Sequence, residues 1–282
     1  MLATFIIFLR EGVEASMIVA ILLAYLSRTG QRQHFRDVFL GVGSALLLAA
    51  GGGVAAYLTI SSYDGSRFQT IFETVTYLLA AALLTYMTFW MRNHARTLST
   101  ELRAKVDSAV DGGARRSMFL LAFQSVGREG LETVVFTLAI FFTGKTEGSV
   151  GTRGPAIGGV IGLVIALAIA FFIYRLGHQI NFKVFFAAVG GLLMVFGAGL
   201  LVDAIQNLQE LGWIRFATHP LWNSAALVNE DSAGGDILHS FFGYSQQPTV
   251  LQAIVYVAYL AVILSLYFGL VHRRRSTAAA GH

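Results

Sequence analysis

The stretch LATFIIFLREGVEASMIVAILLAYL, Leu2–Leu26, decides how this chain is read. It is long enough to cross a bilayer, which takes about 20 residues. Yet Arg10, Glu11 and Glu14 lie near its middle, where each charge costs at least about 2.5–3.5 kcal/mol on insertion scales. The same pattern returns once: Arg128-Glu129-Gly130-Leu131-Glu132 repeats Arg10-Glu11-Gly12-Val13-Glu14 at an offset of 118 residues. Both copies run on into small and β-branched residues. Three ionisable groups in one apolar helix, twice over, are not accidents of composition.

The rest of the chain supports a membrane reading. Of 282 residues, 55% are hydrophobic and 13% charged, whereas a soluble domain carries about 25% charge. Glycine at 30 against proline at 3 also fits membrane helices. With no cysteine, disulfides, thiolate zinc sites, iron–sulfur clusters and c-type haem are excluded. Long apolar stretches predict seven spans, over 2–26, 38–60, 69–91, 117–143, 155–175, 184–203 and 249–271. The first is not a signal peptide, because no basic segment precedes it and the apolar run resumes after Glu14. Residues 92–116 are polar and helix-prone, predicting an interfacial helix, and 204–248 are too polar to span.

Charge sets the expected direction. Fourteen Lys/Arg fall on one side of these spans, four on the other, and Arg10 and Arg128 within them. By the positive-inside rule the N-terminus lies outside and the C-terminus in the cytoplasm. The outer loops hold seven acids, and an acidic face raises the local concentration of cations. The basic loops can contact anionic lipid, so nucleic-acid binding is not needed to explain them. The fold class expected is an all-α integral membrane protein in the cytoplasmic (inner) membrane. A single domain over 1–282 divides into repeat one at about 1–91, repeat two at about 117–203, an external loop at 204–248 and a last helix at 249–271. The repeats form a 3+3 inverted pair plus one extra C-terminal helix, since span 1 runs inward and span 4 outward. Transporters of that build place their substrate near the midplane.

Helical spacing gives the motif its chemistry. Residues i and i+3 share a face, so Glu11 can align with Glu14, and Glu129 with Glu132. Arg10 and Arg128 each precede a glutamate by four residues and can pair with it. Gly12 and Gly130 permit close helix approach. Carboxylates gathered in a low-dielectric site must be protonated, paired or metal-bound. Hard oxygen donors without Cys or in-span His suit Mg, Ca, Mn and highly charged iron, and disfavour Cu(I) and zinc. All seven His are expected in loops or the tail. That weighs against a di-iron oxidase, whose helices carry Glu-x-x-His pairs. No Walker-type motif is present, so ATP hydrolysis by this chain is not expected.

The paired R-E-G-x-E motifs resemble the oxidase-dependent iron permeases, and more specifically their bacterial branch, over nearly the whole chain. Further matches are Phe72-Glu73, Phe89-Trp90-Met91-Arg92, Val106-Asp107-Ser108-Ala109 and Phe242-Gly243-Tyr244. The resemblance implies a permease, not an enzyme, that imports Fe2+ or Fe3+ across the cytoplasmic membrane. Iron is then cargo and no cofactor is expected. The implied path is Glu11, Glu14, Glu129 and Glu132, with Arg10 and Arg128 as supporting ion pairs. The implied partners are a periplasmic or surface iron-binding protein and a haem peroxidase, or a multicopper oxidase in fungi. The alternatives are a manganese-like divalent carrier and a membrane iron receptor or sensor without transport. A homo-oligomer is compatible with the sequence.

Glu73, at the outer end of span 3, is an expected outer metal ligand. Asp203, at the outer end of span 6, is a weaker candidate. Glu230, Asp231, Asp236 and His239 read as a solvated loop rather than a capture cluster, since loop acids are common.

Overall fold

The computed structural model describes residues 1–94, 104, 114–145, 153–176, 182–224, 235, 238–239 and 242–279. Among them are seven α-helices: α1 Leu2–Arg28, α2 Phe35–Ser61, α3 Arg67–His94, α4 Ala114–Lys145, α5 Arg153–Leu176, α6 Phe182–Glu210 and α7 Val250–Ala279. The only extended pairing among the described residues is an isolated bridge between Pro220 and Thr249. The protein is an all-α integral membrane protein. Four stretches are long and apolar enough to cross a bilayer: Arg32–Ser61, Arg67–Met91, Gly154–Phe172 and Val184–Glu210. The helices α1 and α4 fall outside that set and hold the charged motifs. Large apolar side chains such as Leu47, Leu48, Val160 and Val164 face outward, a surface that suits lipid rather than water.

The helices overrun the expected spans. Residues 204–210, expected in the external loop, continue α6. Nothing in Ala204–Glu210 breaks a helix, and the chain turns only at Gly212, whose φ of +73° suits glycine. His94 closes α3 and His272 lies within α7, so the helices extend beyond the apolar runs at both places. The stretch Val106-Asp107-Ser108-Ala109, most of the expected interfacial helix, and Glu230, Asp231 and Asp236 lie outside the described residues.

Helix pairing follows a regular scheme. The most extensive contacts are α1 with α5, α2 with α4, and α3 with α6. The first helix of each expected repeat thus packs on the second helix of the other. Glycine contacts give the directions. Gly158 meets Met1, Gly162 meets Phe5 and Ala166 meets Gly12, so α1 and α5 run parallel. Gly41 meets Phe119 and Ala122, Ala49 meets Gly130, and Gly53 meets Val134, so α2 and α4 also run parallel. In contrast, Thr88 meets Gly190 and Leu84 meets Gly197, so α3 and α6 are antiparallel. On α7, Tyr259 donates a 2.6 Å hydrogen bond to Thr85 Oγ1 of α3.

Two apolar clusters cap the bundle. One joins Ile6 and Ile7 of α1 to Ile60, Tyr77, Phe136, Phe142, Phe196 and Leu200. The other joins Leu22 and Leu26, at the opposite end of α1, to Val38, Met118 and Ala122. The motif carboxylates lie between them in sequence on both α1 and α4.

The close approaches predict opposite effects for two similar changes. A Cβ on Gly162 would lie 2.5 Å from the Phe5 carbonyl oxygen and 3.0 Å from the Leu9 nitrogen. Backbone cannot yield as a side chain does, so Gly162→Ala is expected to cost about 1–3 kcal/mol as overpacking. Gly51 has nothing within 4 Å of such a Cβ, and Gly51→Ala should be neutral or stabilising by up to about 1 kcal/mol. Thermal unfolding of the two variants in detergent checks the difference in sign.

Candidate metal site

The two motifs meet inside the bundle. Along α1, Glu11 and Glu14 are separated by one helical turn and both are buried, at 2% and 3% exposure. Glu129 of α4 is also buried. One carboxylate oxygen from each of Glu11, Glu14 and Glu129 lies within 4.8 Å of the others. An ion bound at about 2.1 Å holds two opposed oxygens about 4.2 Å apart. The group is therefore slightly wider than an ion needs, and a cation would draw it together. Both oxygens of Glu11 and of Glu14 are buried without a hydrogen-bond partner among the described residues. Arg10 compensates Glu11 in part from 3.4 Å away, but buried carboxylate oxygens without hydrogen bonds are costly, and a cation between them would satisfy them.

The motif glycines explain how closely α1 packs on α5 and α4 on α2. A Cβ on Gly12 would lie 2.8 Å from the Ala166 Cβ of α5. A Cβ on Gly130 would lie 2.9 Å from the Ala49 Cβ of α2. The glycine of each motif thus faces an alanine of the other half, in equivalent places.

The two arginines are not equivalent. Arg128 pairs with Glu132 four residues on, as its spacing predicts, at 3.0 Å. It also lies 4.9 Å from the centre of the Trp90 ring and donates to Met87 Sδ at 3.0 Å. These two α3 residues were not singled out as site residues from sequence, though Trp90 falls in the Phe89–Arg92 match. The Arg128 side chain is 41% exposed. Arg10 is 2% exposed and lies 3.4 Å from Glu11, its immediate neighbour, rather than pairing with Glu14. As a result Glu14 stays with Glu11 and Glu129, while Glu132 is drawn out of that group by Arg128.

Order along the bundle follows from direction. α1 and α4 run oppositely, and each arginine precedes its glutamates. Arg10 therefore lies toward the end shared by the start of α1 and the finish of α4, and Arg128 toward the other end.

Glu73 is buried near the start of α3 and accepts a 2.7 Å hydrogen bond from Gln69 Nε2. It is not one of the three grouped carboxylates. Asp203 is buried on α6, where Thr143 Oγ1 donates to its Oδ2 at 3.1 Å. His239 departs from the expected solvated loop. It is buried and its Nε2 lies 3.8 Å from Asp203 Oδ1. The sequence signal for that seat is Phe242-Gly243-Tyr244, since Gly243 packs directly on Gly199 of α6.

Comparison with known proteins gives a consistent result. The Iron permease FTR1 family model matches residues 1–275. The chain is 33% identical to a protein of Yersinia pestis named Ferrous iron permease EfeU, over 95% of this chain and 93% of that one. It is 32% identical to proteins of the same name from Shigella sonnei and Escherichia coli O157:H7, over 99% of both chains in each case. These relatives are named as permeases, not as enzymes. No solved structure matches the chain.

Proposed function

This chain belongs to the Iron permease FTR1 family, and we propose that it imports ferrous iron through a site made by Glu11, Glu14 and Glu129. Iron transport and a multi-pass place in the membrane follow from the family. The carboxylate group, with both Glu14 oxygens buried and without a hydrogen-bond partner among the described residues, is the observation that carries the proposed site.

Charge favours the ferrous ion. The two motifs hold four glutamates and two arginines, a net charge of −2 when all are ionised. A divalent ion brings the buried assembly to neutrality, whereas a trivalent one leaves an excess positive charge that a low-dielectric site penalises. The relatives are named for ferrous iron.

The parallel packing of α1 on α5 and of α2 on α4, with α3 antiparallel to α6, supports an inverted 3+3 repeat with all seven helices in the membrane. The Lys/Arg distribution supports an outside N-terminus and residence in the cytoplasmic membrane. In that orientation Arg10 lies on the outer side of the carboxylates and Arg128 on the cytoplasmic side. Iron reaches the acidic outer face, where an iron-binding partner and a haem peroxidase would act. It passes Glu73 and enters the three-carboxylate site. Glu132 joins the site as Arg128 swings away, and the ion leaves on the Arg128 side. An inside-negative potential contributes about 2.3 kcal/mol per charge per 100 mV, which drives a divalent ion inward.

Uptake of radiolabelled iron into proteoliposomes holding this protein alone tests the proposal. Ferrous iron under reductant and chelated ferric iron are compared, each beside Glu14→Ala/Glu132→Ala. The expected result is ferrous uptake that the variant lacks and manganese competes with only weakly. Iron binding without uptake in either form would make the chain a receptor or place it under an obligatory delivery partner.

A further inference from the structure

Three carboxylates offer an ion only hard oxygen, which suits Mg, Ca and Mn as readily as Fe2+. A softer donor stands beside the fourth motif glutamate. On α3, Met87 is 1% exposed. Leu84, one turn before it, packs in one apolar cluster, and Met91, one turn after it, in another. Met87 turns its sulfur to a charge. Arg128 Nη2 donates to Met87 Sδ at 3.0 Å, and Nε of the same guanidinium donates to Glu132 Oε1 at 3.0 Å.

These two nitrogens belong to one rigid plane and form the fork with which arginine takes both oxygens of a carboxylate. Here the fork takes one oxygen and one sulfur, so Glu132 and Met87 present their acceptors side by side. The guanidinium stands where a cation would sit between them. A divalent ion makes bonds of about 2.0–2.2 Å to oxygen and about 2.3 Å to sulfur, and one ion could replace both hydrogen bonds. The second Glu132 oxygen, Oε2, is buried without a hydrogen-bond partner among the described residues, and Glu132 as a whole is 7% exposed. It is a further ligand atom for the same ion. The face of Trp90, 4.9 Å from Arg128 Cζ, also favours positive charge at this place. Arg128 has room to leave, since its side chain is 41% exposed.

We propose that Met87 and Glu132 form a transient exit-side site for Fe2+, in which the thioether selects iron over harder divalent ions and Arg128 holds the ion's place while the site is empty. The assignment rests on the transport function proposed above. Glu73 lies near the start of α3 and Met87 toward its finish, so the sulfur stands away from the Glu73 end of the bundle. An ion leaving Glu11, Glu14 and Glu129 takes Glu132 and Met87 as Arg128 moves out. Thioether sulfur is a known iron ligand, whereas Mg, Ca and Mn prefer oxygen. For those ions the step trades an oxygen ligand for a poor one, and their transfer slows.

The test compares Fe2+ and Mn2+ uptake, separately and in competition, in proteoliposomes of wild type and Met87→Leu. Leucine conserves the volume of methionine and removes the sulfur. The preference for Fe2+ over Mn2+ should fall about tenfold, the low end of what groups at a metal site are worth, with Mn2+ uptake kept. A packing role would slow both ions alike. The second measurement is iron X-ray absorption on tag-free Arg128→Ala saturated with Fe2+ under reductant, a variant in which the site stands open. A sulfur scatterer should appear beside oxygen and vanish in Arg128→Ala/Met87→Leu. An unchanged ion preference, no sulfur scatterer, or one that survives Met87→Leu overturns the proposal. A sulfur scatterer that depends on Met87, without uptake of either ion by the wild type, would leave this site standing and refute the permease mechanism instead. If Met87→Leu does not fold, Met87→Ile replaces it in both measurements. Failure of both to fold would make the thioether a packing group and overturn the proposal.

Discussion

Glu14→Gln is expected to weaken iron binding by about 100-fold or more and to abolish uptake, whereas Glu132→Gln should bind iron within a few-fold of wild type and transport it slowly. Residues behind a metal ligand are worth about 10–100-fold in affinity, so a ligand itself should cost at least the upper figure. Glu14 is one of the three carboxylates within 4.8 Å of one another. Glutamine keeps its shape and removes its charge. Glu132 stands apart, held 3.0 Å from Arg128, and is needed only once that pair opens. Equilibrium binding of radiolabelled iron, measured beside uptake by the same preparations, separates the two effects. Equal loss of binding in both variants would place Glu132 in the resting site and refute the asymmetry.

Arg10→Met should destabilise the protein by about 3–5 kcal/mol, the range for removing one partner of a buried ion pair. Arg10 is 2% exposed and lies 3.4 Å from Glu11. Without it, three buried carboxylates lose the cation beside them. Methionine conserves much of the volume, so packing contributes little to the loss. Arg128→Met should behave differently. The Arg128 side chain is 41% exposed while Glu132 beside it is 9% exposed, so water screens the pair only in part and its loss should cost less than that of Arg10, about 1–3 kcal/mol. Unfolding of both variants in detergent, with Arg10→Met/Glu11→Gln as a partial rescue, checks the contrast. If Arg10→Met were as stable as wild type, the resting carboxylates would have to carry protons.

Much of this was legible in the sequence because membranes penalise charge so heavily. Glu11, Glu14 and Glu129 stood out in apolar stretches, and helical spacing alone put the first two on one face. Gly12 and Gly130 were legible as points of close approach for the same kind of reason. Local spacing did not reveal which partner each arginine takes. Arg128 follows the four-residue rule, yet Arg10 does not, because its surroundings come from other helices. The sequence groups His239 with the acids Glu230, Asp231 and Asp236 of its loop, and loop acids are commonly solvated, so it reads as solvent-facing. Its burial depends on Gly243 meeting Gly199, a contact between distant parts of the chain. The apolar run ends at residue 203 whereas α6 runs on to Glu210, because hydropathy marks the edge of the apolar run, while a helix stops only where its backbone is turned.

The exchange of partners between the two halves has a consequence for biogenesis. Because α1 packs on α5, and α2 on α4, neither half of the chain contains the surfaces that its own helices need. During synthesis the first motif must enter the bilayer well before the helices that cover it have been made. A chaperone, the insertion machinery or bound lipid has to shelter α1 through that interval. The two halves made as separate polypeptides should assemble when produced together, and each should be degraded when produced alone.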